Sequence, residues 1–288
     1  MFNLGLAIAF FVMLSFAASD LLAKRVSSQI GSKRTTFIMF CFSFVTFGLI
    51  ALFVGGVNVN VFAALIAVGS GAIYSVAYLL LYKSLEKQQV SNSISLVGIE
   101  YILIAIFSIT VLGESLATIT LVAFVGVFIG AFLVTTKENF RFNRGYLPAA
   151  LSMCLFGVNF MFLVFAEQAS GNLLFPLLVN RAIAIPLLGM YLKFYPEKTK
   201  SFSRRSFRNI GLKTLVINAF TGVFNATGSF SLLFLASFGV LALGSTIAAV
   251  EPALVVLAGY LIYKERFKKH QIFGFIILII STIVLSAV

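Results

Sequence analysis

Residues 241–263 read LALGSTIAAVEPALVVLAGYLIY, an apolar run of 23 residues broken by one charge, Glu251. At about 1.5 Å per helical residue such a run spans about 35 Å, enough for a hydrocarbon core of about 30 Å. It is too long for a strand and shows no period-two alternation. The segment therefore predicts a membrane-crossing helix with a carboxyl near its middle.

Working outward, the same texture fills the chain. Of its 288 residues 60% are hydrophobic and 10% charged, and the mean hydropathy is +1.07. Soluble domains carry roughly 25% charge, so this chain lacks the polar surface to face water alone. Further apolar runs at 3–23, 35–55, 61–85, 90–112, 117–136, 146–168, 173–195, 211–237 and 271–287 bring the expected spans to ten. The first run is followed, not preceded, by its basic residues Lys24 and Arg25, which predicts a permanent span rather than a cleaved signal. The net charge of +12 lies in the gaps. Sorting the gaps by side places twenty of the 21 basic residues on one side and none on the other, with Arg181 inside a span. That asymmetry predicts cytoplasmic basic loops and both termini outside, and it gives the charge a role in orientation instead of nucleic-acid binding. Cys41 and Cys154 fall in apolar runs and suggest neither a disulfide scaffold nor a metal pair.

A shift of 151 residues superposes Gly71 on Gly222, Leu81 on Leu232, Glu100 on Glu251 and Glu114 on Glu265. Earlier in each half, Phe16-Ala17-Ala18-Ser19 resembles Phe156-Gly157-Val158-Asn159. The expected fold is thus an all-α integral membrane protein of ten helices in two repeats. The first covers 1–136, a cytoplasmic linker 137–145, and the second repeat 146–288. Five spans per half is an odd number, so the second half enters the membrane inverted. Inverted repeats of this kind place a substrate site near the midplane.

Several segments together carry a family resemblance. Phe156-Gly157-Val158-Asn159-Phe160 resembles a Trp-Gly-Ser-Asn-Phe stretch, Asn180 to Pro186 an Arg-Phe-x-x-Ala segment, and Glu251-Pro252 with Lys264-Glu265-Arg266 a Glu-Pro then Gly-Glu-Arg-Leu pattern. The first half offers Glu100-Tyr101 and Gly113-Glu114-Ser115-Leu116. These motifs resemble the EamA-like branch of the drug/metabolite transporter superfamily across nearly the whole chain. The resemblance implies a ten-helix, two-repeat metabolite carrier, often an exporter. The chain departs from it at Tyr101, where the family has proline, and in its charge pattern, since members are commonly drawn with cytoplasmic termini.

Candidate site residues follow from what lipid penalises. Glu100 and Glu251 lie deep in spans four and nine, where a charge costs about 2.5–3.5 kcal/mol on insertion scales and belongs on an inward face. They are expected to bind a proton or a cationic substrate group; the alternative is a structural pairing with Arg181 or with helix ends. Arg181, the single deep cation, is expected to meet a substrate carboxylate or an acid such as Glu251, or to hold helices together. Ser70, Tyr74, Tyr78 and Tyr82 share one helix face, and Asn218, Thr221, Asn225 and Ser229 form the equivalent stripe of the other half. Both stripes are expected to turn inward and line a shared cavity, or to hydrogen-bond between helices. Gly126-x-x-x-Gly130 predicts close helix packing. Asp20, Lys24 and Glu86 are placed at solvated cytoplasmic helix ends, and Glu114 and Glu265 at opposite interfaces as anchors or gate contacts.

The expected function is secondary transport of small metabolites such as amino acids by alternating access, as an exporter in the cell membrane with the proton as coupling ion. The alternatives are export of cationic amines or drugs, and a membrane scaffold or sensor that moves nothing. An enzyme is disfavoured: there is one histidine, His270, one aspartate, Asp20, and no phosphate-cradling glycine loop. No metal or cofactor is expected; the partners are a small-molecule substrate, protons and the lipid bilayer.

Overall fold

The computed structural model of the protein describes residues 2–54, 59–85, 98–135, 146–195, 210–263 and 268–287. Among the described residues the chain forms α-helices and no strand: α1 (Phe2–Ile30), α2 (Ser32–Val54), α3 (Val61–Leu85), α4 (Gly98–Thr110), α5 (Thr118–Thr135), α6 (Tyr146–Ser170), α7 (Leu174–Phe194), α8 (Leu212–Ser237), α9 (Leu241–Ala248), α10 (Glu251–Tyr263) and α11 (Lys269–Ala287). Eight stretches are long and apolar enough to cross a membrane, and Ile99–Thr110 and Lys269–Leu285 are shorter apolar helices. The linker expected at 137–145, Glu86, Glu265, the whole basic stretch 196–209 and the side chain of Tyr82 lie outside the described residues.

Two expectations change. The run 241–263 is not one helix but two, α9 and α10, separated by Ala249 and Val250. Pro252 has no N–H, so it offers no i→i−4 bond to Ala248. The ladder tightens there, with Val250 N–H donating to the Ile247 carbonyl and Ala253 N–H to the Val250 carbonyl, both at 3.0 Å. Hydropathy averages across such a break and cannot register it. The first helix, in turn, runs on to Ile30, so Asp20 and Lys24 lie within it instead of at its end.

Outer faces carry bare hydrocarbon. On α1, Leu4, Phe11 and Leu14 form one exposed stripe, and on α11 Ile276, Ile279, Ile280 and Ile283 do the same. Water would oppose such stripes, whereas acyl chains accept them.

The halves interlock. Helix α3 packs on α6 and α7; α8 packs on α1 and α2; α5 packs on α11; and α4 packs on α6 and α9, as α1 packs on α9 and α10. Exchanging α1–α5 for α6–α11 maps this pattern onto itself. Individual contacts repeat as well. A Cβ at Gly71 would stand 2.7 Å from the Asn180 carbonyl and 2.9 Å from Ile183 Cβ; one at Gly222 would stand 2.7 Å from the Met39 carbonyl and 2.5 Å from Phe42 Cβ. Both are closer than real Cβ atoms come, so only glycine lets these helices approach. Ser19 Oγ donates to the Thr221 carbonyl at 3.2 Å, and Ser70 Oγ donates to Asn159 Oδ1 at 2.8 Å. Ser19 pairs with Asn159, and Ser70 with Thr221, in the two sequence alignments of the halves. Gly31 (φ +88°) ends α1, and Gly171 (φ +60°), at the matching position, ends α6.

The Gly126-x-x-x-Gly130 reading also holds. A Cβ at Gly130 would lie 2.9 Å from the Gly274 carbonyl, and the reverse distance is the same, so α5 and α11 meet backbone to backbone.

Candidate functional site

Two polar clusters occupy the interior. The first surrounds Arg181, buried on α7 at 2% exposure. Its Nη1 donates to Asn180 Oδ1, and its Nη2 donates to the Tyr74 hydroxyl at 3.2 Å and to Asn225 Oδ1 at 3.0 Å. Tyr74 and Asn225 are the repeat-equivalent members of the two predicted stripes, so each half sends one acceptor to the same guanidinium. Aromatic faces complete the cage: the guanidinium lies 4.3 Å from the Tyr74 ring centroid, 5.0 Å from that of Phe40 and 5.9 Å from that of Phe47. Tyr78 joins by edge contacts to Phe40, Tyr74 and Phe156. Asn180 Nδ2 extends the network to Ser70 Oγ at 2.7 Å and Asn159 Oδ1 at 2.9 Å. Ser43 Oγ, on α2, donates to the Gly222 carbonyl at 2.9 Å and reaches Asn225 Oδ1 at 3.4 Å.

The expectation that Arg181 meets Glu251 is not met: every hydrogen-bond partner found for it among the described residues is neutral. Asn218 also departs from its expected place in a shared cavity. It is fully buried and donates from Nδ2 to the Thr35 carbonyl at 3.1 Å, joining α8 to the start of α2.

The second cluster is acidic. Glu251 begins α10, buried at 4% exposure, and its Oε2 accepts a 2.7 Å hydrogen bond from the hydroxyl of Tyr101 on α4. Asp20 and Glu100 lie within electrostatic reach of Glu251 and of each other. Glu251 falls in the first turn of α10, just after the break.

Asp20 was expected in solvent at a helix end. Instead it lies about 200° around α1 from the stripe of Leu4, Phe11 and Leu14, on the face turned to the bundle. It is nonetheless exposed. An exposed residue on an inward face opens on internal space. Along that face Ala9 and Met13 are buried, Phe16 is half-buried, and Asp20 and Lys24 are exposed. Along this face exposure thus rises from Ala9 and Met13 toward Asp20 and Lys24.

The sequence reading placed acids and stripes in one cavity. The described contacts instead resolve a sealed cationic knot and an acidic cluster that borders the space. Helix α6 separates them, with Phe156 packed against Tyr74 and Tyr78, and Gly157 packed against α4 at Leu103 and the Glu100 carbonyl. Asp20, Tyr101, Asn159, Asn180 and Ser43 were not among the expected site residues. A helical wheel drawn for α1 would have turned Asp20 inward, and the match of Ser19 with Asn159 already pointed at that layer.

Two successive segments, 3–136 and 143–287, match the family model described as the EamA-like transporter family. The chain belongs to the EamA-like transporter family. The two matches follow the two interlocked halves, and the apolar helices are those of a multi-pass membrane protein. A family of small-molecule transporters thus replaces the bare architecture as the frame for the acidic cluster. Among solved structures, one described only as a crystal structure of a protein superposes with a TM-score of 0.77, covering 98% of this chain and 96% of that one at 13% identity. That likeness is one of fold. No curated protein matches this EamA-like chain in sequence.

Proposed function

We propose that this EamA-like protein is a secondary transporter that moves small metabolites, amino acids foremost, out of the cell by alternating access in exchange for protons. Ten spans arranged as two inverted five-helix repeats, in the cell membrane, with basic loops in the cytoplasm and both termini outside, form the body of the carrier. The observation that carries the reading is the buried Glu251, held by Tyr101 at the break between α9 and α10, with the inward-facing, exposed Asp20 within electrostatic reach of it. Two neighbouring carboxyls beside an open space bind an ammonium group when both are ionised and release it when one takes up a proton. Tyr101 supports Glu251 from behind, and Glu100 adds a third acid. Arg181, Tyr74, Tyr78 and Asn225 form the neighbouring polar layer, in which a substrate carboxylate finds donors when the halves rearrange; Asn218 steadies that layer from α8.

A second reading, export of cationic amines, is favoured by one feature: among the described residues no guanidinium pairs with the acidic cluster, Arg181 being engaged by neutral partners.

Proteoliposomes with an imposed pH gradient test both. Counterflow of labelled amino acids that accelerates with the gradient supports the first reading, and counterflow of amines alone supports the second. No flux of either class at any gradient rejects transport through this site.

A further inference from the structure

The short helix α9 is held at both ends by the opposite half of the chain. At its inner end Tyr101 of α4 grips Glu251, three residues past Ala248. At its outer end the backbone N–H groups of Leu241 and Ala242 donate to the two carboxylate oxygens of Glu114, at 2.7 and 2.9 Å. The first N–H groups of a helix have no partner within it and carry partial positive charge, so a carboxylate is the strongest side-chain partner available. Glu114 stands just beyond α4, after Gly113 (φ +74°), with its own N–H bonded to the Ser108 carbonyl.

Residues 241–249 are all buried, and α9 packs on α1, α4 and α8. At the same end Gly5 of α1 meets Val240, with a Cβ there only 3.2 Å from Val240 Cγ2. This is where the inward face of α1 is sealed, from Ala9 to Met13, before it opens at Asp20. Helix α9 packs on α1 at this sealed end.

We propose that Glu114 is a latch: its carboxylate holds α9 in the closed position on that side, and its release lets α9 tilt, opening the path and drawing Glu251 away from Tyr101. Glu114 is a positioning residue that acts through α9. The inference rests on the transporter reading for its purpose, but its geometry is tested without substrate.

The test uses two single-cysteine reporters on the inward face of α1, in a chain carrying C41S and C154S. Ala9→Cys reports the N-terminal side of α9 and Ser27→Cys the opposite side. Membrane vesicles are labelled with an impermeant maleimide from either face. With E114A, labelling of Ala9→Cys from the N-terminal side is expected to rise about tenfold while labelling of Ser27→Cys from the other side falls, as a two-state shift requires. E114Q, which keeps one acceptor without the charge, is expected to fall between. A general loosening of the bundle raises both signals and overturns the latch, as do unchanged rates. Should E114A fail to reach the membrane, E114Q decides by the same criterion. Absent flux with the expected labelling would reject the transporter reading and leave the latch standing.

Discussion

The hydroxyl of Tyr101 donates to Oε2 of Glu251 at 2.7 Å, so the residue after the first half's acid holds the acid of the second. The position equivalent to Tyr101 is Pro252, which helps to break the ninth span. One half uses the site to interrupt a helix and the other to brace the interruption.

Tyr101→Phe removes that donor without changing the ring. It is expected to lower stability by about 1–2 kcal/mol, the usual worth of a buried hydrogen bond. Thermal unfolding in detergent measures it; an unchanged midpoint would show that the bond contributes nothing to the fold.

Asp20→Asn keeps the shape and hydrogen-bonding capacity of the side chain but removes its ionisable proton. Flux is expected to lose its dependence on a pH gradient, as it is for Glu251→Gln, with folding retained. Wild-type gradient dependence in both variants would remove the carboxyl pair from the mechanism.

Arg181 Nη2 donates to one tyrosine and one asparagine from equivalent positions, Tyr74 and Asn225. Tyr74→Phe and Asn225→Ala should therefore be non-additive, with a coupling energy of about 0.5–3 kcal/mol in a double-mutant cycle. Arg181→Ala leaves buried neutral acceptors without their donor and is expected to cost about 1–3 kcal/mol for each one left unpaired. Additive single effects would mean that the two halves do not meet at this guanidinium.

Gly71→Ala and Gly222→Ala place a methyl group against a carbonyl in two equivalent contacts. Each is expected to destabilise by about 1–3 kcal/mol, the cost of overpacking, and by similar amounts. A large effect at one and none at the other would contradict the repeat of these contacts.

The sequence made the helices and the repeat legible because lipid imposes a long-range rule on each span and duplication leaves paired residues such as Gly71 and Gly222. The turns at Gly31 and Gly171 are likewise paired once the earlier alignment is known. What escaped was local. Asp20 was assigned by its distance from the end of an apolar run, yet α1 continues to Ile30 through polar residues that need no lipid. The break before Glu251 depends on hydrogen bonds around one proline and leaves no trace in hydropathy. Arg181 was recognised as deep, but its partners come from four helices (α2 and α3 by ring and hydroxyl, α7 by its neighbour, α8 by an amide), which no single-segment pattern joins.

The matched positions of the first two helices lie 140 residues apart, Ser19 to Asn159, and those of the later helices 151, Gly71 to Gly222. The second half has thus grown by about eleven residues between α7 and α8, the stretch holding Lys198, Lys200, Arg204, Arg205 and Arg208. Bilayer thickness fixes the length of every span, so a duplicated gene of this kind can drift in size only between its spans, and excising about eleven residues there should spare every helix pairing described above.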